Sequence, residues 1–246
     1  MSEMTRQGRL LGLGLGPGDP ELITMKALRL LKATRHIATF AKAGRQGHAE
    51  RIIAPHLEPT HELMRLEYPV TTEIQFNAKA YKSALRQFYE QSSEQIAALM
   101  RGGRDVALVC EGDPLFYGSF MHIFTRLRAG FTCEIVPGIA GMAGAWSAAH
   151  LPMTWGDDVM TIVPGTLDAN AIIARLQQAD AAVIMKIGQN FAKVRQAIID
   201  ARRLDDAIYV ERGTMAGEII LPLVEYRGET PPYFSLILIP GHGRRP

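Results

Sequence analysis

The sequence predicts an α/β chain built on mostly parallel, doubly wound sheets, and three observations carry that prediction. Short apolar runs alternate with helical patterns from one end to the other. Several runs are apolar on consecutive residues, as in parallel strands covered on both faces. Pro-Gly follows an apolar run four times, at Pro17-Gly18, Pro137-Gly138, Pro164-Gly165 and Pro240-Gly241. Proline ends a ladder because it has no N–H to donate, and glycine permits the sharp turn that follows. Ligands of open α/β sheets collect outside the carboxyl ends of the strands, so at least some of these turns are expected to face a common crevice.

Leu10–Leu15 reads as the first strand. The next helix carries Ile23, Ala27, Leu30 and Leu31 on one face, with Asp19 placed to cap it and Pro20 at its first position. Thr60 to Ala80 fits neither period. Pro69 interrupts it and Tyr68, Phe76 and Tyr81 punctuate it, which predicts a long surface excursion. A helix from about Ser83 to Arg101 carries Leu85, Phe88, Ile96, Leu99 and Met100, and Gly102-Gly103 ends it. Val106–Cys110 is a strand. Between Pro114 and Gly130, Phe116, Phe120, Ile123, Phe124 and Leu127 share one helical face. Strands follow at Thr132–Val136, Val159–Val163, Ala182–Met185, Ile208–Val210 and Phe234–Ile239. The pattern resets between His150 and Asp158, which predicts domains of residues 1–150 and 151–246.

The 246 residues are 47% apolar, enough for a substantial core, and the net charge is only +2. That balance argues against a broad phosphate-binding surface, so no nucleic-acid partner is expected. Cys110 and Cys133 lie in apolar stretches without a partner at ligand spacing, as buried thiols in a reducing compartment do. None of the seven histidines stands at metal-ligand spacing, and no metal is expected. No apolar run approaches the ~20 residues that span a bilayer, and no signal segment opens the chain. A cytoplasmic protein without a membrane partner is the expectation.

Gly12-Leu13-Gly14-Leu15-Gly16-Pro17-Gly18-Asp19-Pro20 is the most informative segment. On a strand its glycines share one face and admit close approach of a helix, backbone or ligand. It is not a dinucleotide fingerprint, because the sixth place is Pro17 or Asp19 rather than glycine, and no Walker lysine follows. Asp19 repels phosphate, so the loop suits a ligand that is neutral or cationic at its reactive end. Glu111-Gly112-Asp113-Pro114-Leu115-Phe116-Tyr117-Gly118 repeats the Gly-Asp-Pro triplet at another strand end. Each aspartate is either a cap or a ligand group. The small residues of Val136-Pro137-Gly138-Ile139-Ala140-Gly141-Met142-Ala143-Gly144-Ala145 let a helix lie tight against the sheet or a flat cofactor.

These three segments, in this order, resemble the signatures of the tetrapyrrole (corrin/porphyrin) methylases, with Ala140 where Ser or Thr is often found. Val183-Ile184-Met185-Lys186 and Glu211-Arg212-Gly213-Thr214 are similar to two later blocks. Gly112 to Phe120, Met185-Lys186 and the Thr60–Ala80 excursion look most like the branch that methylates C20 of precorrin-2 or its cobalt-bearing counterpart. The resemblance implies a two-domain α/β fold with the active site in the inter-domain cleft, S-adenosylmethionine as cofactor, a precorrin-2 substrate and a homodimer. It implies that Pro17, Gly112, Asp113, Phe116, Ala140, Gly141, Met185 and Gly213 line the cofactor pocket, and that Asp19 and Tyr117 face the tetrapyrrole. Arg212 is the first candidate for the substrate carboxylates, with Arg65, Lys79 and Lys82 behind it. A proton must leave the methylated carbon; Asp19 and bulk water both stand as acceptors, and no catalytic residue is assigned. Asp113→Ala is expected to weaken cofactor binding in calorimetry while leaving the melting temperature nearly unchanged, whereas normal binding with a much lower melt would mark Asp113 as a structural cap. Other branches methylate RNA or a modified protein histidine, and a non-catalytic carrier is the alternative of another class.

Overall fold

The computed structural model describes residues 6–69 and 79–243, which form two compact units, Met1–Ala140 and Gly141–Pro246. The first alternates β1 (Leu10–Gly14), α1 (Met25–Ala33), β2 (His36–Lys42), α2 (His48–Ile53), β3 (Glu62–Tyr68), α3 (Lys79–Arg101), β4 (Val106–Cys110), α4 (Phe120–Leu127) and β5 (Cys133–Val136). Its sheet has the order β3-β2-β4-β1-β5 and is parallel throughout.

The central strands explain themselves. In β1 and β4 every residue is buried, and successive side chains serve opposite faces. Leu10, Val106 and Leu108 pack with Ile96, Phe120 and Ile123 of α3 and α4. Leu11, Leu13, Ala107 and Val109 pack with Ala27 and Leu31 of α1. Gly12 has no side chain because the Phe120 ring fills that place, so a methyl there would overlap it.

The second unit contains α5 (Gly141–Ala148), β6 (Met160–Pro164), α6 (Ala169–Gln178), β7 (Ala181–Met185), α7 (Phe191–Asp200), β8 (Ile208–Glu211), β9 (Ile219–Pro222) and β10 (Ser235–Ile239). Helices α6 and α7 cover one face through Ile172, Leu176, Val194 and Ile198. On the other face Ala145 of α5 is buried with Val183, Val210 and Leu238. The units therefore meet in sequence at Ala140 and Gly141, ahead of the pattern reset near residue 150.

Sheet order in this unit is β6-β7-β10-β8-β9, with β6 and β7 parallel and the other pairs antiparallel. Parallel pairing needs a crossover of a dozen or more residues. The chain supplies α-helices between β6, β7 and β8, then connections without an α-helix to β9 and β10. Of the eight strand pairings among the described residues, five are parallel.

Three local expectations are corrected. Part of the Thr60–Ala80 excursion is the edge strand β3, paired with β2 over seven positions, while Phe76 lies outside the described residues. Asp19 caps a single 3-10 turn, Pro20–Leu22, accepting from Glu21 N–H at 2.9 Å, and Thr24 caps α1. Extended backbone at Ile23 separates the two. The helix expected from Pro114 starts only at Phe120, because Tyr117 adopts φ 54° and breaks the helical path. Among the described residues no helix is long and apolar enough to cross a membrane.

Candidate functional site

In the first unit, β4, β1 and β5 are neighbours and parallel, so their carboxyl ends share one edge. The turns at that edge lock together through backbone. Leu15 N–H donates to Cys110 O at 2.9 Å, and Gly112 N–H to Gly16 O at 2.7 Å. Gly16 and Gly112 form an isolated antiparallel bridge, which sets Pro17 and Gly112 side by side. Both glycines are left-handed, with φ of 80° and 64°. A methyl on Gly14 or Gly138 would overlap neighbouring backbone, so three chain segments meet where only glycine fits.

Carboxylates tie these turns down. Asp113 accepts from Leu115 N–H at 2.8 Å through Oδ1 and from Gly138 N–H at 3.2 Å through Oδ2. Asp113 thus braces the turn after β4 against the turn after β5, and its substitution must cost stability. These two bonds weigh against the expectation of an unchanged melting temperature. Two of its roughly four lone-pair positions are taken, which leaves acceptor capacity for a ligand. Glu111 Oε1 accepts from Ala49 N–H at 2.9 Å. Asp19, Glu111 and Asp113 give the edge three carboxylates. Phe116 and Tyr117 stand edge to face, 4.7 Å apart, and Tyr117 is 46% exposed.

The second unit holds the other residues that the sequence singled out, Gly141, Met185, Arg212 and Gly213. Gly165 N–H donates to Met185 O at 2.6 Å, joining the turns after β6 and β7. Strands β7 and β8 both run antiparallel to β10, so their carboxyl ends point the same way. Left-handed φ values recur there in Lys186 (58°), Arg212 (51°) and Thr214 (67°). Such strained non-glycine residues concentrate at functional sites. A side chain at Gly213 would meet Ala145 Cα at 3.0 Å, so Gly213 lets the turn lie on α5. Gly141, at the start of α5, has no atom within 4 Å of where a Cβ would stand. Met185 packs against the same buried cluster, which includes Ala145, Val183 and Val210, as Met142 and Trp146 of α5 do. The Thr214 hydroxyl is buried and finds no partner among the described residues.

Beneath this turn, buried Glu211 accepts from the Tyr209 hydroxyl at 2.7 Å and pairs with Arg212. Burial pushes the Tyr209 phenol far up, so it remains a donor. Two cavities lie elsewhere. One of about 190 Å³ opens at the amino ends of β2, β3 and β4, by His36, Glu62 and Val106, away from the ligand edge of a parallel sheet. The other, of about 320 Å³, is lined by Asp158, Asp180, Asp206 and His242.

Residues 9–225 match the family of tetrapyrrole (corrin/porphyrin) methylases. The chain belongs to this family. The methylase is 48% identical over 239 residues to a protein named precorrin-2 C(20)-methyltransferase from Sinorhizobium sp, spanning 97% of this chain and 98% of the relative. It is 28% identical over 237 residues to cobalt-precorrin-2 C(20)-methyltransferase of Salmonella typhimurium, spanning 94% and 96%. Its fold matches the X-ray structure of a cobalt precorrin-4 methyltransferase with a TM-score of 0.68 at 23% identity, covering 94% of this chain and 93% of the other.

Of the basic residues considered for substrate carboxylates, Arg65 makes a two-armed bond to buried Glu50, both contacts at 2.7 Å, and is accounted for by the methylase's own fold. Arg212 is engaged by Glu211 and donates from Nε to Gly217 O at 3.1 Å. Lys82 is exposed, and the Lys79 side chain lies outside the described residues. Sequence reading missed the bracing role of Glu111, the Glu211–Tyr209 pair and the Thr214 hydroxyl. A glutamate amid the apolar run ahead of Arg212-Gly213 was the one available signal for a buried charge.

Proposed function

We propose that this methylase transfers the methyl group of S-adenosylmethionine to C20 of precorrin-2 in cobalamin biosynthesis. The observation that carries the reading is near-full-length similarity, at 48% identity, to the Sinorhizobium precorrin-2 C(20)-methyltransferase. The lower identity to the cobalt-precorrin-2 enzyme, 28%, favours the metal-free substrate.

Pro17, Gly112, Asp113, Phe116, Ala140, Gly141, Met185 and Gly213 are assigned to the cofactor, and Asp19, Tyr117 and Arg212 to the tetrapyrrole. The turns after β1, β4 and β5 lie at the carboxyl edge of a parallel sheet, where ligands of such sheets collect, and the three carboxylates suit a ligand carrying positive charge. Ala140 has no hydroxyl to offer, so a contact there would come from backbone. When bound, the sulfonium supplies an activated methyl group for in-line displacement. The protein has to align that methyl with the electron-rich meso carbon at ~3–3.5 Å and keep water out, which lowers the barrier by several kcal/mol. The same reading includes a cytoplasmic homodimer, for which sedimentation velocity is the measurement.

The test is to incubate the protein with methyl-labelled cofactor and precorrin-2, cobalt-precorrin-2 or RNA. Label is expected on precorrin-2 in preference to its cobalt counterpart. Label on RNA and on neither tetrapyrrole overturns the reading.

A further inference from the structure

Ser119 stands at the amino end of α4, where a serine ordinarily accepts an N–H from the first helical turn. Its hydroxyl makes no such bond. It turns to two phenols from other elements. Tyr89 of α3 donates to Ser119 Oγ at 3.1 Å, and Tyr68, the last residue of β3, makes a short O–H···O bond with the same oxygen.

The phenols are themselves held in place. His122 of α4 stacks on Tyr89 with 4.3 Å between ring centres, and the Arg126 guanidinium lies 5.8 Å from the centre of that ring. Tyr68 packs on Phe88 and Phe40 at 4.8 and 5.6 Å. Tyr89 is buried, which raises its phenol further and keeps it a donor. Two residues before Ser119, Tyr117 holds φ 54°, a conformation that a bulky residue keeps only where its surroundings impose it. Phe116, Tyr117 and Gly118 thus form a strained corner whose far end is fixed by a hydroxyl shared between β3 and α3.

We propose that Ser119 is a positioning residue: the Tyr68–Ser119–Tyr89 clamp holds the Phe116-Tyr117-Gly118 corner and thereby sets affinity for the tetrapyrrole. The inference rests on the assignment of Tyr117 to the substrate made above. Ser119 acts through that corner and needs no contact with the reacting atoms.

Ser119→Ala removes both bonds without adding bulk. The expected result is a rise of about tenfold in KM for precorrin-2, equivalent to about 1.4 kcal/mol, as two modest hydrogen bonds allow. The kcat stays within about twofold, and the calorimetric Kd for S-adenosylmethionine, to which only Phe116 of this corner is assigned, rises no more than about threefold. Amide exchange at residues 115–118 accelerates, while β1 and β4 keep their protection. Ser119→Thr, which retains the hydroxyl, restores most of the loss. If Ser119→Ala fails to fold, Tyr89→Phe removes one bond and is expected to raise the same KM about threefold. The proposal is overturned if the tetrapyrrole KM is unchanged. It is equally overturned if the cofactor Kd rises as much as KM, with exchange spreading through the first unit. Should the unaltered protein methylate no tetrapyrrole, the functional reading fails separately, and the clamp is judged by exchange at residues 115–118 alone.

Discussion

Asp113 shows how a single carboxylate can join two turns that the chain makes far apart. Its partners Leu115 and Gly138 lie on different turns, and losing the side chain leaves two amides to find water. Asp113→Ala is therefore expected to destabilise the protein by about 1–3 kcal/mol. For a chain of this size that lowers the melting temperature by several degrees. Cofactor binding weakens as well, and Asp113→Asn, which keeps one acceptor oxygen, recovers part of both losses. Thermal melts paired with calorimetry check this; a normal melt for the alanine variant would show that neither bond contributes. The Gly-Asp-Pro triplet was legible as a turn after an apolar strand because that spacing is local. The bond to Gly138 was not, since nothing in either motif states that β4 and β5 flank β1. The hydroxyls of Ser119 and Thr214 were invisible for the same reason, because a serine before a helix reads as a cap whatever it binds.

Elements whose burial is uniform were read from sequence almost to the residue, as β4 shows with Val106–Cys110. Those at the rim were not. In β3 only Leu66 is fully buried, so neither period dominates, and Pro69 directly after the strand made the whole stretch look irregular. Helix α2 has six residues, too few for a periodic signal, and its amino-terminal cap is Gly47, which offers no side chain. Glu111, from the end of β4, fills that role by accepting from Ala49 N–H. Glu111→Ala is expected to fray the first turn of α2 at a cost of about 0.5–1 kcal/mol. Amide exchange at Ala49 and Glu50 reports it, with Glu111→Gln close to the parent because it keeps an acceptor. Unaltered exchange there in the alanine variant would mean that α2 is held by its buried Ile52 and Ile53 alone.

Across the molecule, the titrating groups lean one way. Burial holds His48 and His122 below the ordinary imidazole value, so acid favours the unfolded chain from about pH 6.5 downward. Arginine and lysine partners hold Glu50, Glu62 and Glu134 below the ordinary carboxylate value, and that stabilisation is lost as pH falls through their folded values. Both groups make the unfolded state bind more protons, so stability should fall steadily from pH 7 to pH 3.5, first through the histidines and then more steeply below about pH 4.5. Urea midpoints across that range check the sign; a midpoint that rises on acidification contradicts it. At this scale the parallel first sheet was legible in the alternation of strands and helices, whereas the mixed order of the second was not, since strand direction there depends on the absence of crossover helices after β8. That order also bears on biosynthesis. Because β10 inserts between β7 and β8, a nascent second unit emerging from the ribosome carries two unsatisfied inner edges until residues 235–239 are translated. The making of β10, the last of that unit's described strands in chain order, decides when that half becomes competent, and until then its apolar strands are in need of chaperone protection.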